Sequence, residues 1–186
     1  YRMPGDEWQR FANLRLLFGY MFTHPGTKLI FQGAEFGQTA EWNFQQSLDW
    51  HLTQYELHQG MQELVKELNS VYKSYPALYE KQFSSGGFQW IDYGDHENSV
   101  LTYMRKGHDA KNDLVVACNF TPVLRENYRI GVPKAKKYKE IFNSDSPKYG
   151  GSGVENKTIM TSKTEWHGQK NYIEVTIPPL GVIILQ

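Results

Sequence analysis

Residues 29–50 read LIFQGAEFGQTAEWNFQQSLDW and decide the fold of the first third of the chain. An apolar run of three residues stops at Gly33, and a loop follows that carries two carboxylates, several amides and four aromatic rings: Phe36, Trp42, Phe44 and Trp50. A loop with flat rings and hydrogen-bonding groups but no cationic cluster suits a neutral, polyhydroxylated ligand. A buried strand that leads into a functional loop and then a helix is the repeating unit of an α/β barrel. One such unit cannot close a barrel by itself.

Two helices flank this segment. The first is predicted to begin at Asp6, which forms a capping box with Gln9, and to end near Phe22, before His24-Pro25-Gly26. Its second half, residues 14–22, is apolar nearly all round and must be covered on most faces. A strand is predicted at 28–31. The second helix is predicted to start at Thr53, with Glu56 completing a capping box, and to end at Tyr75-Pro76.

Beyond residue 82 the pattern changes to short runs separated by turn residues. Eight strands are predicted, at 88–93, 100–105, 114–120, 128–132, 137–142, 158–166, 172–177 and 182–185. This spacing is typical of an antiparallel β-sandwich. Trp90 and Trp166 lie within predicted strands and are interpreted as core residues. We therefore predict a mostly β chain with two parts, residues 1–78 and residues 79–186.

Composition excludes several classes of protein. Twenty basic residues balance twenty acidic ones, so the chain has no net positive charge. Proteins that bind nucleic acids or anionic membranes usually have one, and the composition argues against both classes. The one cysteine, Cys118, lies in an apolar run and is interpreted as a small buried hydrophobe. A chain without a disulfide framework fits a reducing compartment, and we predict a cytoplasmic protein.

The residues that could carry chemistry are few. The six histidines lack metal-ligand spacing, and we predict neither a metal nor a cofactor. Glu35 and Glu41 could form the acid and nucleophile of a glycosidase, but both come from one loop, whereas barrel enzymes draw catalytic groups from several strands. Glu35 is therefore interpreted as an orienting or hydrogen-bonding group and Glu41 as solvated. Trp42 could equally stack on a sugar or wedge the loop, and Trp50 is interpreted as structural.

The same segments resemble bacterial 1,4-α-glucan (glycogen) branching enzymes. The resemblance covers essentially the whole chain. It rests on MPGDEWQRFANLR at 3–15, GAEFGQ at 33–38, EWN at 41–43, SLDW at 47–50, NFTPV at 119–123, FNSD at 142–145, YGGSG at 149–153 and PPL at 178–180. It implies that residues 1–78 are the last helix–strand–helix of a (β/α)8 barrel and that residues 79–186 are the sandwich domain that follows it.

The resemblance also implies a function. These enzymes cleave an α-1,4 bond with retention and transfer the glucan segment to a sugar 6-hydroxyl. Their three catalytic carboxylates would precede Tyr1, which is not a natural start, so no catalytic residue is assigned and the chain alone is expected to be inactive. Glu35, Gln38 and Trp42 are the candidates for binding α-glucan.

Two further expectations concern partners and alternatives. The apolar half of the first helix would lack its barrel neighbours and is expected to drive self-association. The main rival interpretation is a non-catalytic glucan-binding or scaffolding module, and a weaker one is a debranching enzyme of the same superfamily.

Overall fold

The computed structural model describes residues 3–186, so the expectation about Tyr1 lies outside the described residues. The first helix, α1, spans Glu7–Thr23. The predicted capping box is confirmed, because the Asp6 carboxylate accepts the Gln9 N–H at 2.8 Å and the Gln9 side chain accepts the Asp6 N–H at 3.0 Å. No helix in the described chain is both long and apolar enough to cross a membrane.

The second helix, α2, spans Glu56–Ser74 and begins later than predicted. Thr53 cannot cap it, because its hydroxyl donates to the Trp50 carbonyl at 2.7 Å inside a 3-10 turn, Trp50–Gln54. Tyr55 occupies the cap position without a side-chain hydrogen bond. The predicted apolar stripe is confirmed, and its buried members are Met61, Leu64, Val65, Leu68 and Val71.

The strand predicted at residues 28–31 does not form. The described chain provides no strand beside this segment, and the segment belongs to neither sheet. A parallel strand draws its hydrogen bonds from neighbouring strands, so an apolar run is not sufficient to make one. Leu29 is accordingly 81% exposed and Phe31 is 56% exposed.

The rest of the chain forms the predicted antiparallel sandwich, with eight strands in the described residues. They are β1 (Phe88–Asp92), β2 (Val100–Arg105), β3 (Leu114–Asn119), β4 (Arg125–Val132), β5 (Glu140–Asn143), β6 (Thr161–Ser162), β7 (Asn171–Ile177) and β8 (Gly181–Leu185). A five-stranded sheet has the order β1-β2-β3-β8-β5, and a three-stranded sheet has the order β4-β7-β6. The strand predicted at 158–166 shrinks to β6, because Trp166 instead bridges to Gln169 in a tight turn.

The five-stranded sheet is covered on both faces. Leu114, Val116 and Cys118 of β3 pack with apolar residues of α1 and α2. Val115 and Ala117 pack on the other face, against the three-stranded sheet. A strand buried on both sides reads as a continuous apolar run, which is why β3 and β8 lack alternation in the sequence. The prediction for Cys118 is confirmed, and burial raises the pKa of its thiol to about 12.

This packing changes the expectation for α1. Leu16, Phe18 and Phe22 are buried against α2 and the five-stranded sheet, and Leu17 remains 46% exposed. The sheet thus covers most of the helix surface that was expected to be open. The exposed apolar side chains of this part of the chain lie mainly in the following segment, at Leu29, Phe31, Trp42, Phe44, Trp50 and Tyr55.

The interpretation of Trp90 and Trp166 as core residues is wrong. Trp90 is 37% exposed because β1 is an edge strand, with a neighbour on one side only. Trp166 is 40% exposed because it lies in the turn that follows β6 and not within a strand. Neither ring is fully enclosed by the two layers of the sandwich.

Candidate functional site

A groove of about 560 Å³ lies where the start of α1, the loop after residue 31 and the start of α2 meet. Polar groups line it at Glu7, Arg10, Gln38 and Glu41, and apolar surface is supplied by Phe11, Leu14, Phe31 and Trp42. The groove therefore contains much of the loop that the sequence singled out. Its lining combines hydrogen-bonding groups with aromatic faces.

Gly33 shapes the entry to the loop. Its φ of 79° is left-handed, and its carbonyl accepts the N–H groups of Phe36 at 3.3 Å and Gln38 at 2.9 Å. A Cβ at this position would approach the Gln38 side chain to 2.9 Å. Both the conformation and the space require glycine here.

Gln38 holds the loop closed. Its side-chain oxygen accepts the N–H of Asp49 at 3.0 Å, which joins two points eleven residues apart. Its amide nitrogen reaches the Ala40 carbonyl at 3.5 Å. The organising role that the sequence analysis assigned to Glu35 thus falls to Gln38 in these contacts.

The other two predicted site residues lie differently. Glu35 is half-buried in the 3-10 turn Ala34–Phe36, and within the described chain it is not among the residues that line the groove. Trp42 lines the groove, is 51% exposed, and meets Phe31 edge-on with ring centroids 5.9 Å apart. Trp50 packs on the buried ring of Phe36 at 5.1 Å, as a structural role requires.

His58 is a site residue that the sequence analysis missed. It is buried on α2, its Nδ1 donates to the Phe36 carbonyl at 2.7 Å, and its ring meets Phe11 edge-on at 4.9 Å. It therefore fastens the loop to both helices. The available signal was its position three residues before Met61, on the apolar stripe of α2.

The groups that line the groove are suited to binding a ligand. Amide and carboxylate groups can exchange hydrogen bonds with hydroxyls, and the exposed ring of Trp42 offers an apolar face. Among residues 3–186, no group of three or more histidine, cysteine, aspartate or glutamate side chains is placed to hold a metal ion.

The β-sandwich identifies the class of protein. Residues 90–186 match the family described as the alpha amylase C-terminal all-beta domain, and the match spans just over half of the chain. The chain therefore belongs to this family.

The relatives are more specific, and they confirm the resemblance drawn from the sequence. The chain is 53% identical over 186 residues to the 1,4-alpha-glucan branching enzyme GlgB of Halothermothrix orenii, and 52% identical to that of Aquifex aeolicus. It is 54% identical over 188 residues to that of Nitrosococcus oceani. Each comparison covers 100% of this chain, which matches the C-terminal part and spans 30%, 30% and 25% of the respective relatives.

Solved structures agree on the fold. A debranching enzyme of Nostoc punctiforme matches 95% of this chain and 29% of its own, with a TM-score of 0.59 and 15% identity. An alpha-amylase of H. orenii matches 97% of this chain and 35% of its own, with a TM-score of 0.53 and 18% identity. At these identities the likeness concerns the fold alone.

Proposed function

We propose that this chain is the C-terminal part of a 1,4-α-glucan branching enzyme, which transfers an α-1,4-linked glucan segment to a 6-hydroxyl with retention of configuration. One observation carries the proposal: the chain is 53% and 52% identical in sequence to two branching enzymes over all 186 residues. The chain spans only 24–30% of those relatives, so the catalytic carboxylates would come from the remainder of the protein.

The unpaired segment at residues 28–31 supports this assignment. In a complete (β/α)8 barrel an eighth strand pairs with a neighbour on each side, and the barrel interior and outer helices cover its two faces, which would bury the exposed Leu29 and Phe31 side chains. Residues 1–78 would then close the barrel and residues 79–186 would buttress it, with the shared core of helices and sheet joining the two parts.

The activity test uses two proteins: the full-length protein and the 186-residue chain alone. The full-length protein is expected to lower the iodine staining of amylose and to create α-1,6 linkages visible by proton NMR. The chain alone is expected to do neither. Branching by the chain alone, or a full-length protein that only shortens amylose, would contradict the proposal.

We assign Trp42 to stacking on a glucose ring, Gln38 to holding the loop closed, and Glu35, which lies between the groove-lining residues Ala34 and Gly37, to binding a sugar hydroxyl. Replacing Trp42 with alanine in the full-length protein should raise KM for amylose about tenfold, since one aromatic contact contributes about 1 kcal/mol or slightly more. Phe83→Ala removes an exposed ring outside the groove lining and serves as the control. Equal KM values for amylose in the two variants would show that Trp42 does not bind the glucan.

We further propose that the full-length protein is cytoplasmic.

We also propose that the isolated chain self-associates through the exposed apolar side chains of residues 29–55. Leu29, Phe31 and Phe44 are each more than half exposed, and such a patch drives association in water. Light scattering of the 186-residue chain should give a mass above the monomer's 21.6 kDa. Replacing all three residues with serine should restore the monomer, and a monomeric wild-type chain would refute the prediction.

A further inference from the structure

The loop that follows β5 is folded tightly around one buried carboxylate. Asp145 is 2% exposed, and its side chain accepts the Ser152 N–H at 2.8 Å, the Ser152 hydroxyl at 2.6 Å and the Val154 N–H at 3.1 Å. Its own carbonyl accepts the Gly153 N–H at 3.0 Å. These hydrogen bonds close residues 145–154 into a compact loop, which we call the clasp.

The clasp has little freedom to move. A Cβ at Gly151 would lie 2.0 Å from the Asp145 carbonyl oxygen, so only glycine allows the chain to approach itself this closely. Asp145 is itself oriented by Asn143 of β5, whose side-chain oxygen accepts the Asp145 N–H at 2.8 Å. Since β5 is hydrogen-bonded into the five-stranded sheet, the clasp is a rigid projection of that sheet.

Two carbonyls of the clasp receive hydrogen bonds from α1. The indole N–H of Trp8 donates to the Gly150 carbonyl at 2.9 Å, and the Arg15 guanidinium donates to the Tyr149 carbonyl at 3.2 Å. Trp8 and Arg15 are seven residues apart, which places them on one face of the helix. The Arg15 guanidinium also lies 5.7 Å from the centroid of the Trp8 ring. The clasp therefore holds α1 at two points.

Charge reinforces this contact. Arg15 is 1% exposed, and burial lowers its pKa to about 10, while the Asp145 carboxylate acts in the opposite direction and favours the charged form. The carboxylate that closes the clasp thus also attracts the cation on α1. On the side of α2, Lys148 of the clasp pairs with Glu67 at 3.3 Å. The clasp is therefore fastened to both helices.

The start of α1 is also one wall of the groove. Glu7, Arg10 and Phe11 line the groove, whereas Trp8 is not among its lining residues in the described chain. The clasp therefore holds α1 from a different side. In a (β/α)8 barrel the loop before each helix lies at the face that carries the active site. A contact that fixes the start of this helix can thus affect the reaction without touching the substrate.

We propose that Trp8 is a positioning residue for the transfer reaction: through it, the clasp of the β-sandwich fixes the start of α1 and so the shape of the groove. A wall held in another position would seat the glucan differently, and small misplacements of a substrate have large effects on rate. The length of the transferred segment would change as well. This inference rests on the proposed function, and it gives the sandwich a part in selecting the product.

Trp8→Phe in the full-length protein tests this role, because phenylalanine keeps an aromatic ring and lacks the N–H donor. The branched product is treated with a debranching enzyme, and the lengths of the released chains are measured. We expect a changed distribution of lengths and a kcat about fivefold lower, the factor that one hydrogen bond of about 1 kcal/mol represents. A residue with only a structural role would reduce the amount of folded enzyme and leave the distribution unchanged.

Asn69→Ala is the control for this variant. It removes a side-chain hydrogen bond of 2.9 Å to the Val65 carbonyl within α2, and Asn69 is exposed. Its kcat and its distribution of chain lengths should both match those of the wild type.

A second variant, Asp145→Asn, loosens the clasp from the side of the sandwich and covers the case in which Trp8→Phe disturbs folding. Asparagine has one side-chain oxygen, so it cannot accept all three hydrogen bonds in the same geometry, and it does not attract Arg15. It should change the distribution as Trp8→Phe does. A wild-type distribution from whichever variant folds, with branching intact, would overturn the positioning role and leave the proposed function standing. A wild-type protein that forms no α-1,6 linkages would overturn the proposed function and this inference with it.

Discussion

Replacing Arg105 with methionine is expected to lower the free energy of unfolding by about 4 kcal/mol. Arg105 is fully buried at the end of β2, and its guanidinium donates to the carbonyls of Thr23 at 2.6 Å, Leu78 at 3.1 Å and Gly87 at 3.1 Å. These carbonyls belong to the last turn of α1, to the segment after α2 and to the residue before β1. One side chain therefore links three elements that lie far apart in the sequence.

The size of the effect follows from what methionine cannot replace. It fills a similar volume but donates no hydrogen bond, so the Thr23 and Leu78 carbonyls lose this donor at a cost of about 1–3 kcal/mol each. The Gly87 carbonyl keeps the Lys106 N–H at 3.0 Å. The positive charge also lies at the C-terminal end of α1, where it stabilises the helix dipole and where α1 has no basic residue of its own. Burial lowers the pKa of Arg105, the expected cost of holding a charge in this environment.

Urea unfolding followed by circular dichroism measures the change. The control is Arg129→Met, which removes an exposed guanidinium paired with Glu174 at 2.9 Å and should cost no more than about 1 kcal/mol. Labelling of the buried Cys118 thiol gives a second readout, since it should accelerate in the Arg105 variant in proportion to the unfolded population. Equal stability of the two variants would contradict the proposed linkage.

Replacing Gly60 with alanine is expected to cost about 3 kcal/mol, although alanine is the better helix former. A Cβ at Gly60 would lie 2.6 Å from the carbonyl oxygen of Tyr149 and 2.7 Å from its carbonyl carbon. That turn, Pro147–Tyr149, is held by the Gly150 N–H to Pro147 hydrogen bond and by Arg15, so it cannot move away easily. The gain in helix propensity is about 1 kcal/mol, smaller than the cost of the clash.

Gly86→Ala is the matched control for this experiment. A Cβ there would have the Ser84 hydroxyl at 3.7 Å as its nearest neighbour, and the expected change is within about 1 kcal/mol. Thermal unfolding of both variants by calorimetry gives the comparison. If Gly60→Ala has the same melting temperature as the wild type, then α2 packs less closely on the turn than the structure indicates.

Local signals predicted much of the fold. The Asp6–Gln9 capping box fixed the start of α1, because both partners lie within one helical turn. Tyr75-Pro76 marked the end of α2, because the residue before a proline avoids helical geometry. The strands were found because turn residues separate them, and β2 was predicted with its observed bounds.

The remainder depends on contacts between distant residues. The apolar run at 28–31 looks like a strand, yet strand formation requires neighbours that the described chain does not provide. Trp90 and Trp166 are large, apolar and lie in strand-like runs, so they look like core residues. The sequence does not show which strand lies at an edge or where a strand ends, and both rings are exposed for these reasons. Gln38 and Glu35 are both polar loop residues, and only the position of Asp49 shows which of them closes the loop.

The doubly covered sheet has a consequence for how β8 finds its alignment. All five residues of Gly181–Leu185 are buried, so sliding β8 by one residue would exchange two sets of apolar side chains and expose neither to water. The hydrophobic effect therefore cannot distinguish the correct alignment from the slipped one. Close packing and polar contacts favour the correct one: Val182 lies against Gly19, where a Cβ would be 2.1 Å from the Val182 Cγ1. The Ser144 hydroxyl accepts the Val182 N–H at 2.9 Å, and the Asn119 amide donates to the Pro178 carbonyl at 3.0 Å. Loss of these two side chains should yield misaligned molecules that remain compact, and not simply a less stable protein.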